Sequence, residues 1–217
     1  MELVTGRGPG ERDPGDERGD DRGDGRAGRP ASTVVVTTGP EETRDVAGSI
    51  ARLCVPGDVL LLVGDLGAGK TTFAQGFGAG LGVAEPITSP TFTLVRQYPV
   101  SRDPSGRGPS ASRPAAPGGG EGHRAIGTLV HADVYRLDHR SEIVDLGLGE
   151  LVDDGAVALV EWGDAARPVL GDGSLTVHLA AGGDDLERVI TLAPDGGAWS
   201  GRWSALVGAL ARWRSAT

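Results

Sequence analysis

The residues with the clearest chemical meaning in this chain of 217 residues surround its single lysine, Lys70. Lys70 lies in the run Gly64–Thr72, which matches the pattern G-x-x-x-x-G-K-[ST] at every fixed position. Histidines apart, the other basic side chains are all arginines. A compact ammonium can reach between two phosphates where a planar guanidinium does not fit, so we interpret Lys70 as a phosphate ligand.

The segments on either side of this loop support that interpretation. The apolar run 58–63 before it is typical of a strand buried on both faces, and a helix is expected to begin at about Gly69. Glycines in the loop permit backbone angles at which successive N–H groups point at a phosphate, and the helix N-terminus adds further donors. We expect Lys70 to reach the β- and γ-phosphates and the Thr71 hydroxyl to ligate Mg²⁺.

The alternative to a phosphate site is an ordinary glycine turn. A dinucleotide-binding loop is excluded, because the pattern G-x-G-x-x-G from Gly67 would require glycine where Thr72 stands. The residues expected to contact the nucleotide are those of the loop and of a second short segment, namely Asp65, Leu66, Gly67, Ala68, Gly69, Lys70, Thr71, Thr72, Ser89 and Thr91.

A phosphate loop also needs a carboxylate at the end of a neighbouring strand, on the side of the metal. Glu161 ends the most apolar strand of the chain, and Asp133 lies near the end of another. Either could instead be a solvated charge that closes a strand. His131, two residues before Asp133, could be a base, but a lone imidazole beside a strand is more often a structural residue.

Further polar and aromatic residues lie beside these motifs. Ser89-Pro90-Thr91 is typical of a switch loop whose hydroxyls meet a γ-phosphate or its metal, although a plain turn into a strand fits equally well. Arg96 and Arg136 could stabilise developing phosphate charge or form surface ion pairs. Trp162 could line the site or belong to the core.

Hydrophobic patterning predicts alternating strands and helices after an N-terminal tail. Strands are expected at 33–37, 58–63, 92–98, 129–135, 156–160, 175–179 and 188–192, the last two as a hairpin. Helices are expected from Pro40, from about Gly69, at 142–154 and at 200–213.

Composition separates two segments from this pattern. Residues 1–32 are rich in Gly, Asp, Glu, Arg and Pro and are expected to be disordered, and the Pro-, Gly-, Ser- and Arg-rich residues 100–124 are expected to form a surface insertion. Residues 33–217 are then one domain.

Charge and cysteine content limit the classes of function. A formal charge of −9 without a basic block argues against direct tight binding to DNA or other nucleic acid. The single cysteine, Cys54, excludes a disulfide framework and a cysteine-based zinc site. Without a signal peptide or an apolar run of about 18 residues, we expect a soluble cytoplasmic protein that does not interact with a membrane.

Four motifs follow one another in the chain: Gly64–Thr72, Ser89–Phe92, His131–Arg136 and Glu161–Trp162. This series resembles the TsaE family (formerly YjeE), small bacterial ATPases of the tRNA threonylcarbamoyladenosine pathway. The resemblance covers about residues 33–165 well and the C-terminal part loosely. It implies an α/β fold of the P-loop NTPase type, a three-layer α/β/α sandwich with a mostly parallel central sheet and antiparallel C-terminal strands.

The resemblance also implies cofactors, partners and residue roles. ATP and Mg²⁺ would be the cofactors, and the TsaB and TsaD proteins the partners, in a complex that attaches a threonylcarbamoyl group to adenosine 37 of tRNA. The ATPase would support repeated turnover of that complex and would contact tRNA only indirectly. By position, Lys70 would bind phosphate, Thr71 and Glu161 would hold Mg²⁺, Asp133 would serve catalysis, and residues 89–91 would form the switch loop.

The family pattern does not include the N-terminal tail or the insertion at 100–124, and the insertion could alter docking to partners. No arginine is obviously placed as a finger in the sequence, so intrinsic hydrolysis is expected to be slow unless a partner completes the site. The main alternative is a P-loop small-molecule kinase, which would need an acceptor pocket and an arginine-bearing lid. A nucleotide sensor that exchanges partners without turnover is a third possibility.

Overall fold

The computed structural model describes residues 32–101, 125–137, 139–170 and 172–214. The segments expected to be a disordered tail and a surface insertion lie almost wholly outside these ranges, so both expectations stay predictions. No helix within the described ranges is long and apolar enough to cross a membrane.

The described residues form an alternating series of strands and helices. The strands are β1 (Thr33–Thr37), β2 (Val59–Val63), β3 (Val95–Pro99), β4 (Thr128–Asp133), β5 (Val157–Glu161), β6 (Leu175–Ala181) and β7 (Arg188–Pro194). The helices are α1 (Pro40–Ala51), α2 (Lys70–Leu81), α3 (Arg140–Asp145), α4 (Leu148–Asp153), α5 (Gly163–Leu170), α6 (Gly197–Ser200) and α7 (Trp203–Ala209), and a 3-10 turn follows at Ala211–Trp213.

All seven strands belong to one sheet in the order β1-β7-β6-β2-β5-β4-β3. The central strands are parallel, since β2 pairs in parallel with β5 and β6, and β5 with β4. Antiparallel strands occupy both edges, where β3 pairs with β4, β7 with β6, and β1 with β7. The predicted α/β fold, with its mostly parallel centre and antiparallel C-terminal strands, is confirmed.

Helices cover both faces of the sheet, and the alternation of side chains along the central strands shows how the layers form. In β2, Leu60 and Leu62 face one apolar core, whereas Val59 and Leu61 face the other. The first core is completed by α1, α2 and the C-terminal segment, and the second by α3, α4 and α5. Because β2 and β5 are buried along their whole length, they are the apolar runs that the sequence identifies most clearly.

Helices α1 and α2 pack backbone against backbone. A Cβ atom added to Gly80 would lie 2.5 Å from the Cα of Gly48, so no side chain fits at this crossing. This contact fixes α2, and with it the loop that precedes α2, relative to the rest of the fold.

The structure departs from the sequence prediction at four points and adds one helix. The helix expected at 142–154 is divided at Gly147, which has a positive φ of 65°, into α3 and α4. The strand expected at 129–135 ends at Asp133.

The strand expected at 92–98 begins only at Val95, because the carbonyl of Pro90 accepts hydrogen bonds from the N–H groups of Thr93 and Leu94 and closes a turn. The helix expected at 200–213 is divided into α6, α7 and the 3-10 turn. Helix α5, which the hydrophobic pattern does not predict, is short and contains Pro168.

An ion pair ties the C-terminal segment to the chain before β2. The guanidinium of Arg202 donates to both oxygens of Asp58, at 2.6 Å each, and Asp58 is almost fully buried. The Asp58 carboxylate also accepts a hydrogen bond of 2.7 Å from the N–H of Val55.

Loss of this ion pair should be costly. We expect Arg202→Ala to lower the free energy of unfolding by about 3–5 kcal/mol, because it leaves the Asp58 carboxylate buried without its cation. Arg212→Ala is the matched control, since Arg212 pairs at 2.9 Å with an exposed carboxylate and should cost no more than about 1 kcal/mol. Urea titration of both variants measures the difference, and equal losses would contradict the assignment.

Candidate functional site

The loop that joins β2 to α2 lies at the carboxyl edge of the sheet, and three glycines shape it. Gly64, Gly67 and Gly69 all have positive φ, at 147°, 81° and 101°. A Cβ atom at Gly64 would also collide with the carbonyl oxygen of Leu179 in β6. The loop therefore depends on glycine for its conformation and for its close approach to the sheet.

Lys70, the first residue of α2, folds back over this loop. Its Nζ donates hydrogen bonds to the carbonyl oxygens of Gly64, at 2.7 Å, and Asp65, at 3.0 Å. The ammonium also lies 4.0 Å from the centroid of the Trp162 ring, within the range of a cation–π contact. Only 6% of Lys70 is exposed, so the loop and the indole hold its charge in a defined position.

Burial lowers the pKa of the Lys70 ammonium below its ordinary value, because desolvation disfavours the charged form. The nearby carboxylates of Glu161, Asp133 and Asp65 act in the opposite direction and favour that form. Anionic phosphates in the loop would act in the same direction as these carboxylates.

Glu161, the last residue of β5, is buried and is held by a histidine. The Nε2 of His131, in β4, lies 3.0 Å from Glu161 Oε1. An ionised carboxylate only accepts hydrogen bonds, so this contact requires the tautomer in which Nε2 carries the proton and donates it. Within the described chain, Nδ1 of His131 has no hydrogen-bond partner, which leaves the contact with Glu161 as the polar role of this imidazole.

Asp133, the last residue of β4, connects the sheet edge to the 89–91 loop. Its Oδ2 accepts a hydrogen bond of 2.6 Å from the hydroxyl of Thr91, and its Oδ1 accepts one of 3.0 Å from the N–H of Tyr135. The hydroxyls of Thr91 and Ser89 are 2.7 Å apart. The loop predicted as a switch is therefore bonded to the carboxylate predicted for catalysis.

Strand register brings the two carboxylates to the same edge. Asp133 and Glu161 are paired residues of β4 and β5, and Glu161 also pairs with Leu62 near the end of β2. Trp162 follows Glu161 with a positive φ of 60°, and its ring lies against both Lys70 and the ring of Tyr135, 4.6 Å away. A left-handed conformation at a tryptophan is strained and is typical of functional sites.

The other predicted residues lie at or beside this edge. Thr71 and Thr72 are half-buried in the first turn of α2, and Leu66, at the tip of the loop, is 91% exposed. Arg96 donates to the hydroxyl of Thr88 and contacts the ring of Tyr98. Arg136 lies 4.8 Å from the ring centroid of Phe92. Both arginines thus contact residues that flank the 89–91 loop, and among the described residues neither forms a hydrogen bond, ion pair or ring contact with the loop that joins β2 to α2.

One arginine was not identified from the sequence. Arg188, the first residue of β7, donates through Nε to the carbonyl oxygen of Ala68 at 3.1 Å and through Nη2 to that of Gly67 at 3.4 Å. No motif connects it to the loop, which lies about 120 residues earlier in the chain. Only the pairing of β7 with β6 brings it there.

The oxygen donors at this edge fit Mg²⁺ as it is bound beside nucleotides. Such a site takes one or two protein oxygens and completes its shell with phosphates and water. Thr71 supplies a hydroxyl, and Glu161 supplies a carboxylate of which one oxygen is held by His131. The described residues contain no group of three or more His, Cys, Asp or Glu side chains that could hold a metal ion by themselves.

A parallel sheet with a glycine loop and lysine between its central strand and the next helix defines a P-loop NTPase-type protein. The family model described as "Threonylcarbamoyl adenosine biosynthesis protein TsaE" matches residues 37–106 and 120–190. The chain belongs to this TsaE family, as its motifs predict.

Individual relatives agree with the family model. The TsaE proteins of Bacillus subtilis and Treponema pallidum are 39% and 34% identical to this chain, over 74% and 73% of it and over 84% and 98% of their own length. That of Streptomyces coelicolor is 35% identical over 72% of this chain and 93% of its own length. The crystal structure of Bacillus subtilis YdiB superposes with a TM-score of 0.58 at 33% identity, over 86% of this chain and 98% of YdiB.

The contact between His131 and Glu161 predicts that replacement of His131 destabilises the protein more than replacement of His178. We expect His131→Ala to lower the free energy of unfolding by about 1–3 kcal/mol, because it leaves a buried carboxylate without its donor. His178→Ala, at an exposed position of β6, is the control and should have little effect. Chemical denaturation compares the two, and a His131 variant as stable as the control would show that the contact contributes nothing.

Proposed function

We propose that this protein is an ATPase component of the machinery that forms N6-threonylcarbamoyladenosine at position 37 of tRNA. The observation that carries this proposal is the arrangement of Lys70, Asp133 and Glu161 at one sheet edge, in a chain that belongs to the TsaE family. ATP is the nucleotide that we propose, and its hydrolysis would support turnover of a complex with the TsaB and TsaD proteins.

In this proposal, each residue has a distinct task. The loop N–H groups from Asp65 to Gly69 and the first turn of α2, with Thr72, cradle the phosphates, while Lys70 contacts the β- and γ-phosphates. Asp133 orients the attacking water, and its hydrogen bond to Thr91 couples it to the 89–91 loop. Because Thr91 is bonded to Asp133, a shift of Ser89 and Thr91 toward a γ-phosphate would change the hydrogen bonding of the Asp133 carboxylate.

Thr71 and Glu161 would hold Mg²⁺, which neutralises phosphate charge when it is bound. His131 supports Glu161 in this role, since its hydrogen bond fixes one carboxylate oxygen and leaves the other to accept a ligand.

Exposed apolar side chains around the loop support a role for protein partners. Leu66, Phe92 and Tyr135 are 91%, 87% and 60% exposed, and each lies on a segment that belongs to the proposed ATP site. A single exposed apolar side chain is common on protein surfaces, but three of them on segments of one site favour a surface that another protein covers. We propose that TsaB and TsaD bind here and complete the site, so that the isolated chain hydrolyses ATP slowly.

The overall charge is consistent with indirect contact to the nucleic acid. A formal charge of −9 does not favour direct binding to tRNA or DNA, so we propose that tRNA is held by the partners. The same pathway leads us to propose a cytoplasmic location.

A small-molecule kinase remains the second candidate, because one structural feature favours it. A cavity of about 440 Å³ adjoins the loop, and Trp162, Asp164 and His178 are among the residues that line it. Incubation with labelled ATP and cell metabolites separates the two functions. A labelled acceptor would establish the kinase, whereas release of free phosphate supports the ATPase.

The role of Glu161 can be tested without loss of its contact with His131. Glu161→Gln keeps an oxygen that accepts the imidazole N–H but removes the charge that binds a divalent cation. We expect ADP to bind as before without Mg²⁺, the gain in affinity from Mg²⁺ to fall about tenfold or more, and ATP hydrolysis with partners to be lost. Unchanged tRNA modification by the reconstituted complex would show that metal-dependent hydrolysis is not the function.

The lowered pKa of Lys70 predicts how nucleotide binding depends on pH. Only the protonated ammonium attracts phosphate, so ADP affinity should fall as the pH rises through this pKa, by up to about tenfold per pH unit. The fall should begin below the pH at which an exposed lysine titrates. Fluorescence titration without metal measures it, and Lys70→Arg, which keeps its charge, should bind weakly at every pH. A flat profile for the natural chain would contradict the role of Lys70.

A further inference from the structure

Arg188 joins the hairpin formed by β6 and β7 to the loop between β2 and α2. Besides the contacts of its Nε and Nη2 with Ala68 and Gly67, its Nη1 donates to the carbonyl oxygens of Asp185, at 2.8 Å, and Glu187, at 2.7 Å. One half-buried guanidinium thus holds two residues of the loop and two residues of the hairpin turn.

Every acceptor in these four contacts is a backbone carbonyl. None of the ion pairs among the described residues includes Arg188. The nearest acidic neighbour in the chain, Glu187, accepts a hydrogen bond at Oε1 from the N–H of Gly183. Among the described residues, no carboxylate is therefore bound to the guanidinium, whose positive charge lies beside the loop.

The peptide between Ala68 and Gly69 shows what this contact does. In a trans peptide the C=O and N–H bonds point in opposite directions, and the described residues contain no cis peptide. The Ala68 carbonyl points toward Arg188, so the Gly69 N–H points away from Arg188. Gly69 is also the N-cap of α2, where inward N–H groups form the anion site.

From this geometry we propose that Arg188 is a positioning residue for phosphate binding. It orients the Ala68–Gly69 peptide and adds a positive charge behind it, and both effects favour a polyphosphate inside the loop. The proposal rests on the proposed function, since it requires that a nucleotide binds at this loop. Arg188 itself touches the loop and not the phosphates.

Three substitutions separate orientation from charge. Arg188→Met removes both and should weaken ADP binding about tenfold or more, which corresponds to the loss of one hydrogen bond to a charged group. Arg188→Lys keeps the charge but removes the planar guanidinium that donates to the carbonyls of both Ala68 and Gly67. Arg188→Gln keeps a hydrogen-bond donor but removes the charge. Both should bind ADP with intermediate affinity.

Arg167→Ala is the matched control, because Arg167 is an exposed arginine of α5 that pairs with Asp195 at 2.6 Å. It should bind ADP as tightly as the natural chain. Affinities are measured by fluorescence titration with a labelled ADP, in the absence of metal and at a temperature well below the unfolding midpoint of each variant.

Salt dependence distinguishes the charge of Arg188 from a purely structural role. If the charge attracts phosphate, ADP affinity should fall more steeply with salt in the natural chain than in Arg188→Gln, because salt screens exposed charges. Equal affinities for all three Arg188 variants and the natural chain would overturn the proposal, and so would losses that match reduced stability and show no difference in salt dependence. If the natural chain itself bound neither ADP nor ATP, that result would contradict the proposed function, and with it the role of Arg188.

Discussion

The parallel pairing of β5 with both β2 and β4 is the constraint on which the rest of the site depends. Parallel strands end at the same edge of the sheet. The loop after β2 therefore lies at the same edge as the carboxylates of Glu161 and Asp133, although the three are far apart in the sequence. The pairing is held by apolar side chains that fill both faces of these strands. Burial of the sheet thus determines where the polar chemistry lies.

At that edge, the ammonium of Lys70 and the carboxylates of Asp133 and Glu161 are all largely buried from solvent. Lys70 is buried, and its ammonium is attracted by the carboxylates of Glu161, Asp133 and Asp65. The same ammonium donates hydrogen bonds to two carbonyl oxygens of the loop. Glu161 is buried as well and relies on His131. Such groups are costly to bury singly but support one another when they are arranged together, which explains why so many side chains of this edge bond to each other.

The sequence was sufficient for the elements that have local signals. The apolar runs of β2 and β5, the glycine loop and the family motifs predicted the sheet and its parallel centre. The residues that they predicted for the site lie at or beside one edge of the sheet, and their roles stay predictions. The sequence-based prediction was wrong where tertiary contacts determine where a strand or helix begins and ends. The strand at 92–98 is shortened by a turn at Pro90, and the last helix is broken around Arg202, whose side chain bonds to Asp58. The contacts of Arg188 and the partner of His131 depend on strand register, which no local pattern encodes.

The glycine crossing of α1 and α2 has a mechanical consequence. Where Gly48 and Gly80 touch, no side chain lies between the helices that could change rotamer and absorb a displacement. An approach of α2 toward α1 at this point therefore cannot be absorbed by a side chain. It would have to displace the backbone of α1 itself.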